Sequence, residues 1–171
     1  MNALQLKSIA TYASDKNVQL YAPLLEKYMP MYGINTKLRQ AAFIATIIHE
    51  SASFKYTKEI ASGKAYEGRK DLGNIYPGDG ERFRGRSLIQ VTGRTNYIEV
   101  SEALNIDFLE KPHLLEQPEN AVKASCWWWK SHGCNELADT GDIKKVTRRV
   151  NGGLNGLEDR KRWYNKALEV L

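Results

Sequence analysis

Residues 37–54 read KLRQAAFIATIIHESASF, and the period of this stretch decides the fold class. Leu38, Ala41, Ala42, Ala45 and Ile48 recur at helical spacing, Ile44 and Ile47 broaden the apolar face, and Asn35 or Thr36 offers an N-cap. A helix so broadly apolar is mostly buried. Its polar end carries His49-Glu50, which places a carboxyl where the helix leaves the core and near the negative end of the macrodipole. That is a suitable station for a general acid. A zinc-protease reading of the same pair fails, because the second His would fall at position 53, which is Ser53.

Working outward, Leu4 to Tyr28 reads as two short amphipathic helices broken near Asp15 to Asn17, a helical scaffold over residues 1–36. Residues 63–80 are rich in Gly, Asp, Asn and Lys, with Pro77-Gly78-Asp79-Gly80 as a turn signal. Such a long loop is expected to be functional or mobile. Residues 82–92, RFRGRSLIQVT, carry Leu88, Ile89 and Val91 and read as a strand or hairpin arm. Thr92 can then cap a helix whose Tyr97, Val100 and Leu104 share one face. Pro118 opens a further helix running towards Gly133, and a turn at Asp139 to Asp142 leads into a short helix to Val150. After Asn151-Gly152-Gly153 a last helix places Leu157, Tyr164, Leu168 and Leu171 on one side. Trp127, Trp128 and Trp129 point about 100° apart on a helix, so at least two are expected in the core. The pattern predicts a mainly α single domain over 1–171 with a small β element and no second domain.

Composition narrows the classes. At 42% hydrophobic and 26% charged residues, the chain is neither disordered, collagen-like nor a disulfide scaffold. Lys7, Asp15 and Lys16 interrupt any apolar h-region, and no segment approaches the roughly 20 apolar residues of a membrane span. Synthesis in the cytoplasm and no stable membrane insertion are therefore expected. Cys126 and Cys134 are expected to be reduced, and with His132 they fall short of a four-ligand set, so neither metal nor cofactor is expected. The net charge of +5 draws polyanions, whether nucleic acid, anionic membrane or acidic cell wall. The basic residues are dispersed among acids rather than gathered in a stripe, which argues against nucleic acid.

A glycosidase needs a second carboxylate, as nucleophile or to activate water. Glu59, nine residues after Glu50, is one candidate, and Glu67 and Asp71 in the Gly-rich loop are rivals. Gln90, Thr92, Asn96 and Asn151 carry the amides and hydroxyl that sugar hydroxyls pair with. Thr92 and Asn96 can equally cap a helix, and Asn151 can equally shape a turn.

Taken together, these residues resemble glycoside hydrolase family 19, the chitinase group that includes many phage endolysins. The similarity rests on four blocks in order: His49-Glu50-Ser51, Phe83-Arg84-Gly85-Arg86 leading into Leu88-Ile89-Gln90-Val91-Thr92, Asn96-Tyr97, and Val150-Asn151-Gly152-Gly153. It covers about residues 38–171, and Ala61 to Arg69 looks like the phage lysin branch. The resemblance implies a lysozyme-like fold with a β-hairpin beside the active-site cleft. It implies Glu50 as general acid and Glu59 as general base of an inverting hydrolysis, with Glu67 as the alternative base. Such carboxyls stand roughly 6.5–9.5 Å apart. Thr92 would help hold the attacking water, and His49, Gln90, Asn96, Asn151 and Arg160 would form the substrate site, Arg160 as the basic residue that supports the acidic pair. Ser87 stands where the family commonly has Gly, and the cysteine framework of plant chitinases is missing. The expected substrate is accordingly the β-1,4-linked glycan of peptidoglycan, met in the periplasm by a monomer released through a holin or a secretion system. A chitinase acting on N-acetylglucosamine polymers and a non-catalytic glycan or nucleic-acid binder are the alternatives.

Overall fold

Thr36 accepts a hydrogen bond from the backbone amide of Arg39 and so starts the helix on which the first part of the molecule is built. The computed structural model describes residues 1–171. Its helices are α1 (Ala3–Ile9), α2 (Asp15–Tyr28), α3 (Lys37–Glu50), α4 (Asp79–Arg82), α5 (Arg94–Leu104), α6 (Pro118–Ser131), α7 (Cys134–Asp139), α8 (Ile143–Asn151) and α9 (Leu157–Val170). No helix is long and apolar enough to cross a membrane. The chain forms two compact units, one of Met1–Lys55 with Trp128–Leu171 and one of Tyr56–Trp127.

In the first unit every residue from Ala41 to Ile48 is buried, as the breadth of the apolar face requires, and α9 packs along α3. The break between α1 and α2 comes earlier than the sequence suggests. Ser14 caps α2 by accepting from the Asn17 amide at 3.1 Å, so Asp15 enters the first helical turn, where its charge suits the positive end of the dipole. Of the three adjacent tryptophans only Trp129 is fully buried, its Nε1 donating to Asn135 Oδ1 at 2.9 Å. Trp128 is half-buried and stacks on His132 with ring centroids 4.0 Å apart. Trp127 packs, partly buried, against the core of the second unit, so two of the three meet a core, though only one is sealed in it. Cys126 and Cys134 are both buried and free, and burial raises both thiols, Cys134 to about 12.

The α3 helix stops at Glu50, four residues short of the end of the quoted stretch. Ser51 explains the stop: its hydroxyl donates to Ile47 O at 2.5 Å and accepts from the Phe54 amide at 2.9 Å. Ala52, Ser53 and Phe54 are then all left-handed, with φ of 49°, 60° and 66°. Non-glycine residues carry a cost of about 1–2 kcal/mol each in that region. It is offset by the buried Phe54 ring, 4.9 Å from Tyr21, and by Asn17 Nδ2 donating to Phe54 O at 3.0 Å. Ser51→Ala is expected to leave the Phe54 amide unpaired and to lower stability by about 1–3 kcal/mol in denaturant unfolding. A loss of only a few tenths would remove the hydroxyl from this account.

The second unit closes around Phe83, Val91, Tyr97, Val100, Phe108, Leu115 and Ala124, with Trp127 partly buried at the edge of that core. The β element is smaller than a hairpin of full strands. Arg86 pairs with Val91 through reciprocal bonds of 3.1 and 2.8 Å and also bridges Lys58, and these are isolated bridges. Ser87, beside them, has φ of 87°, a conformation that favours Gly. Its hydroxyl gains what a Gly would lack: it donates to Ala121 O at 2.9 Å and meets the Ser125 hydroxyl at 2.9 Å, both on α6.

Thr92 does not cap α5. The N-cap is Gly93, with φ of 93° and a backbone packed so closely on Leu72 that a Cβ would collide. The Gly-rich loop is likewise more tied down than its composition suggests. Arg94 grips both oxygens of Asp79 at 2.8 Å, which holds that carboxyl below its ordinary value. Asn74 joins Tyr66 O to the Arg94 amide, at 2.9 Å each.

Candidate functional site

In the first unit Glu50 is the last residue of α3, and its Oε1 accepts from Nη2 of Arg160 on α9. Arg160 is only 1% exposed, whereas the Glu50 side chain is 25% exposed. The carboxyl is thus open to solvent while the cation that orients it is not. Arg160 Nε donates to Asn155 O at 3.2 Å, and its buried Nη1 has no partner. Buried in this way, Arg160 meets Glu50 and is shielded from direct contact with a soluble ligand.

His49 is braced by the same helix pair. Its Nδ1 lies 2.7 Å from Asp159 Oδ2, an oxygen that also accepts from Trp163 Nε1 at 3.2 Å. Gly156, with φ of 75°, passes so close to the imidazole that any Cβ there would overlap the ring. His49, Ser53, Tyr12, Asp159 and Trp163 line a hollow of about 350 Å³. Asn151 is exposed at the last position of α8, and no side chain of the first unit is bonded to it.

In the second unit Glu59 is held at both oxygens. The Gly85 amide donates to Oε1 at 2.5 Å, the Tyr66 hydroxyl donates to Oε2 at 3.0 Å, and the Glu59 amide returns a bond to Gly85 O at 2.9 Å. Each carboxylate oxygen still has acceptor capacity for water. Burial, and then the bond to Glu59, raises the Tyr66 hydroxyl above its ordinary value. Gln90 is exposed, its amide resting on Gly85 where any Cβ would collide with it. Thr92 is half-buried with its carbonyl accepting from Asn96 Nδ2 at 2.7 Å, and its hydroxyl has no partner in the protein.

The rival carboxylates are otherwise engaged. Glu67 Oε2 accepts from the Gly78 amide and Oε1 from the Gly80 amide, both at 2.8 Å. Those two bonds, Gly78's first, hold its carboxyl below the ordinary range. Asp71 is taken by Arg69, at 2.5 and 3.1 Å. No group of three His, Cys, Asp or Glu side chains is arranged to hold a metal ion.

No family model matches the sequence. A Haemophilus influenzae protein described as a glycosyl hydrolase family 19 domain-containing protein is 34% identical over 169 residues, covering 81% of this chain and 82% of that protein. The chain belongs to glycosyl hydrolase family 19. It is a glycoside hydrolase. An endochitinase of Arabidopsis thaliana is 30% identical over 137 residues, 79% of this chain, and the chain spans only 47% of that relative's length. Chitinase C from Streptomyces griseus shares the fold, with a TM-score of 0.79 at 23% identity over 99% of this chain and 75% of its own. A bacterial family 19 chitinase structure aligns with a TM-score of 0.78 at 20% identity, over 99% of this chain and 93% of its own. The family 19 fold here is mainly helical, with its β element reduced to the Arg86 bridges.

Three groups in this family 19 hydrolase were not singled out by sequence reasoning: Tyr66, the Gly85 amide and Asp159. Tyr66 lies seven residues after Glu59 inside a block already marked as lysin-like, so its hydroxyl was within reach of the sequence. Asp159 pairs with a residue 110 positions away, and no spacing rule connects the two.

Proposed function

We propose that this family 19 hydrolase cuts β-1,4 glycosidic bonds of peptidoglycan by inverting general acid/base catalysis, with Glu50 as the acid and Glu59 as the base. The observation that carries the assignment is the fixing of Glu59 at both oxygens, by Tyr66 and by the Gly85 amide, on an element that Arg86 bridges to its neighbours. Arg160 in turn occupies Oε1 of Glu50, leaving Oε2 as the oxygen to carry the catalytic proton. In the reaction Glu50 protonates the glycosidic oxygen as its bond to the anomeric carbon breaks. Glu59 takes a proton from water as the water oxygen attacks that carbon from the opposite face. In this reading the Thr92 hydroxyl, which has no partner in the protein, helps hold this water, and Gln90, Asn96, Asn151 and His49 bind sugar hydroxyls. The chemistry requires neither metal nor cofactor.

The net charge of +5 favours an acidic wall polymer over a neutral one. The wider proposal is an endolysin-type muramidase of phage origin, acting as a monomer in the periplasm after release by a holin or a secretion system. A second reading, chitinase action on N-acetylglucosamine polymers, is favoured by the plant relatives described as endochitinases. Digestion of purified sacculi and of chitin oligosaccharides separates the two. The expected products from sacculi end in N-acetylmuramic acid by mass spectrometry, and NMR of the first product shows the inverted anomer. Reducing-end N-acetylglucosamine would make the enzyme a glucosaminidase, cleavage of chitin alone would make it a chitinase, and a retained anomer would overturn the mechanism.

A further inference from the structure

The stretch Arg82 to Arg86 places three guanidinium groups along one cleft of the second unit, about 530 Å³ in volume, which Glu81 and His113 also line. Two of the three are spent on the fold. Arg82 donates to Leu109 O at 3.1 and 2.5 Å and to Glu110 O at 3.0 Å. Arg86 donates to Glu116 at 3.0 Å, to Arg82 O at 2.7 Å and to the Tyr97 hydroxyl at 2.9 Å. Arg84 is different. Its backbone is fixed, its carbonyl accepting from the Tyr97 hydroxyl at 2.5 Å, and its Cβ sits against Gly63, where a second Cβ would collide. Yet its Nε is buried without a partner, and no hydrogen bond or ion pair satisfies the rest of its guanidinium.

A half-buried cation with an unpaired, desolvated nitrogen is costly unless an anion completes it. Glu81 does not do so; it is exposed and lies 3.9 Å from Lys64. The guanidinium fork matches a carboxylate bidentately, and the neighbouring Arg82, whose partners are uncharged carbonyls, adds positive potential to the same cleft. Gly85, between Arg84 and Arg86, is the residue whose amide fixes Glu59, so the cleft is tied through one peptide to the proposed base. In peptidoglycan every second sugar carries a lactyl group that is itself a carboxylate or bears an acidic peptide, whereas chitin carries no charge. We propose that Arg84 forms a carboxylate subsite that reads the acidic substituent of the muramic sugar and so sets the preference for peptidoglycan. The inference rests on the peptidoglycan reading and concerns a residue outside the catalytic pair.

The test follows the Arg84 Nε–H resonance of the full chain by NMR during titration with N-acetylmuramic acid, with N-acetylmuramyl-L-alanyl-D-isoglutamine and with neutral di-N-acetylchitobiose. One or both muramyl probes are expected to shift it and chitobiose is not; a shift with N-acetylmuramic acid points to the lactyl carboxylate, a shift with the dipeptide alone to the peptide. The charged probe is expected to bind about 10-fold more tightly than the neutral one, a preference that falls to about one in Arg84→Gln and is partly kept in Arg84→Lys. An unmoved resonance, an undiminished preference in Arg84→Gln, or an equal shift with acetate would overturn the subsite. If wild-type enzyme fails to cut sacculi while the muramyl shift persists, the peptidoglycan reading falls and the subsite stands; if sacculi are cut and no shift occurs, the reverse holds.

Discussion

Glu50→Gln is expected to fold normally and to hydrolyse its glycan on the order of 10²–10⁴ times more slowly, the usual contribution of a positioned acid. The fold should survive because the amide oxygen of Gln can still accept from Arg160, the bond that occupies Oε1 in the native protein. What is lost is the proton that only a carboxyl can deliver to the leaving oxygen. Lysis of permeabilised Gram-negative cells measures the rate, and circular dichroism with a thermal melt verifies the fold. A well-folded Gln variant that lyses cells at near-native speed would remove Glu50 from the acid role. A variant that fails to fold would instead show that the carboxylate charge, and not an acceptor alone, is needed beside a guanidinium only 1% exposed.

What the sequence made legible follows the range of the forces involved. Apolar periodicity acts over one or two helical turns, and with the cap and Pro signals it located α3, narrowed its cap to Asn35 or Thr36 and found the Pro118 start of α6, whereas on α9 only Tyr164 of the expected apolar side is buried, beside Arg160, Trp163 and Ala167. The helix end at His49-Glu50 was legible as the place where the apolar face runs out, whereas its cause was not, because that depends on Ser51 bonding both ways and on three left-handed residues of types that rarely adopt that conformation. That stop matters for function, since it makes Glu50 the terminal residue of the helix rather than one inside it. In the second unit, Gly-rich composition suggested a mobile loop, but Asp79 finds Arg94 fifteen positions on and Glu67 finds two amides eleven and thirteen positions on. Composition counts such residues without pairing them. For the site, the carboxyls and amides were visible as residue types in ordered blocks, while the Gly85 amide that holds Glu59 lies 26 positions from it, where no spacing rule pairs a carboxylate with a backbone amide.

Glu59→Ala is expected to lose roughly 100-fold or more in turnover, the scale of general-base catalysis, and Glu67→Ala to lose less. The structure supplies the reason for the contrast. Each oxygen of Glu67 accepts from a backbone amide of its own loop, Gly78 and Gly80, and those bonds hold its carboxyl below the ordinary range, a shift in the direction of a weaker base. Glu59 also has one partner per oxygen, but one of them is the side-chain hydroxyl of Tyr66 rather than a second backbone amide. Removing Glu67 should therefore act on the loop, as a lowered melting temperature and a higher KM, whereas removing Glu59 should act on kcat with KM little changed. Azide separates the roles further, because a small anion attacks without needing a base. Added azide should restore turnover to Glu59→Ala and give a glycosyl azide of inverted configuration, while leaving Glu67→Ala as it was. Rescue of Glu67→Ala and not of Glu59→Ala would transfer the base to the loop carboxylate and make the Tyr66–Glu59 pair a structural tie.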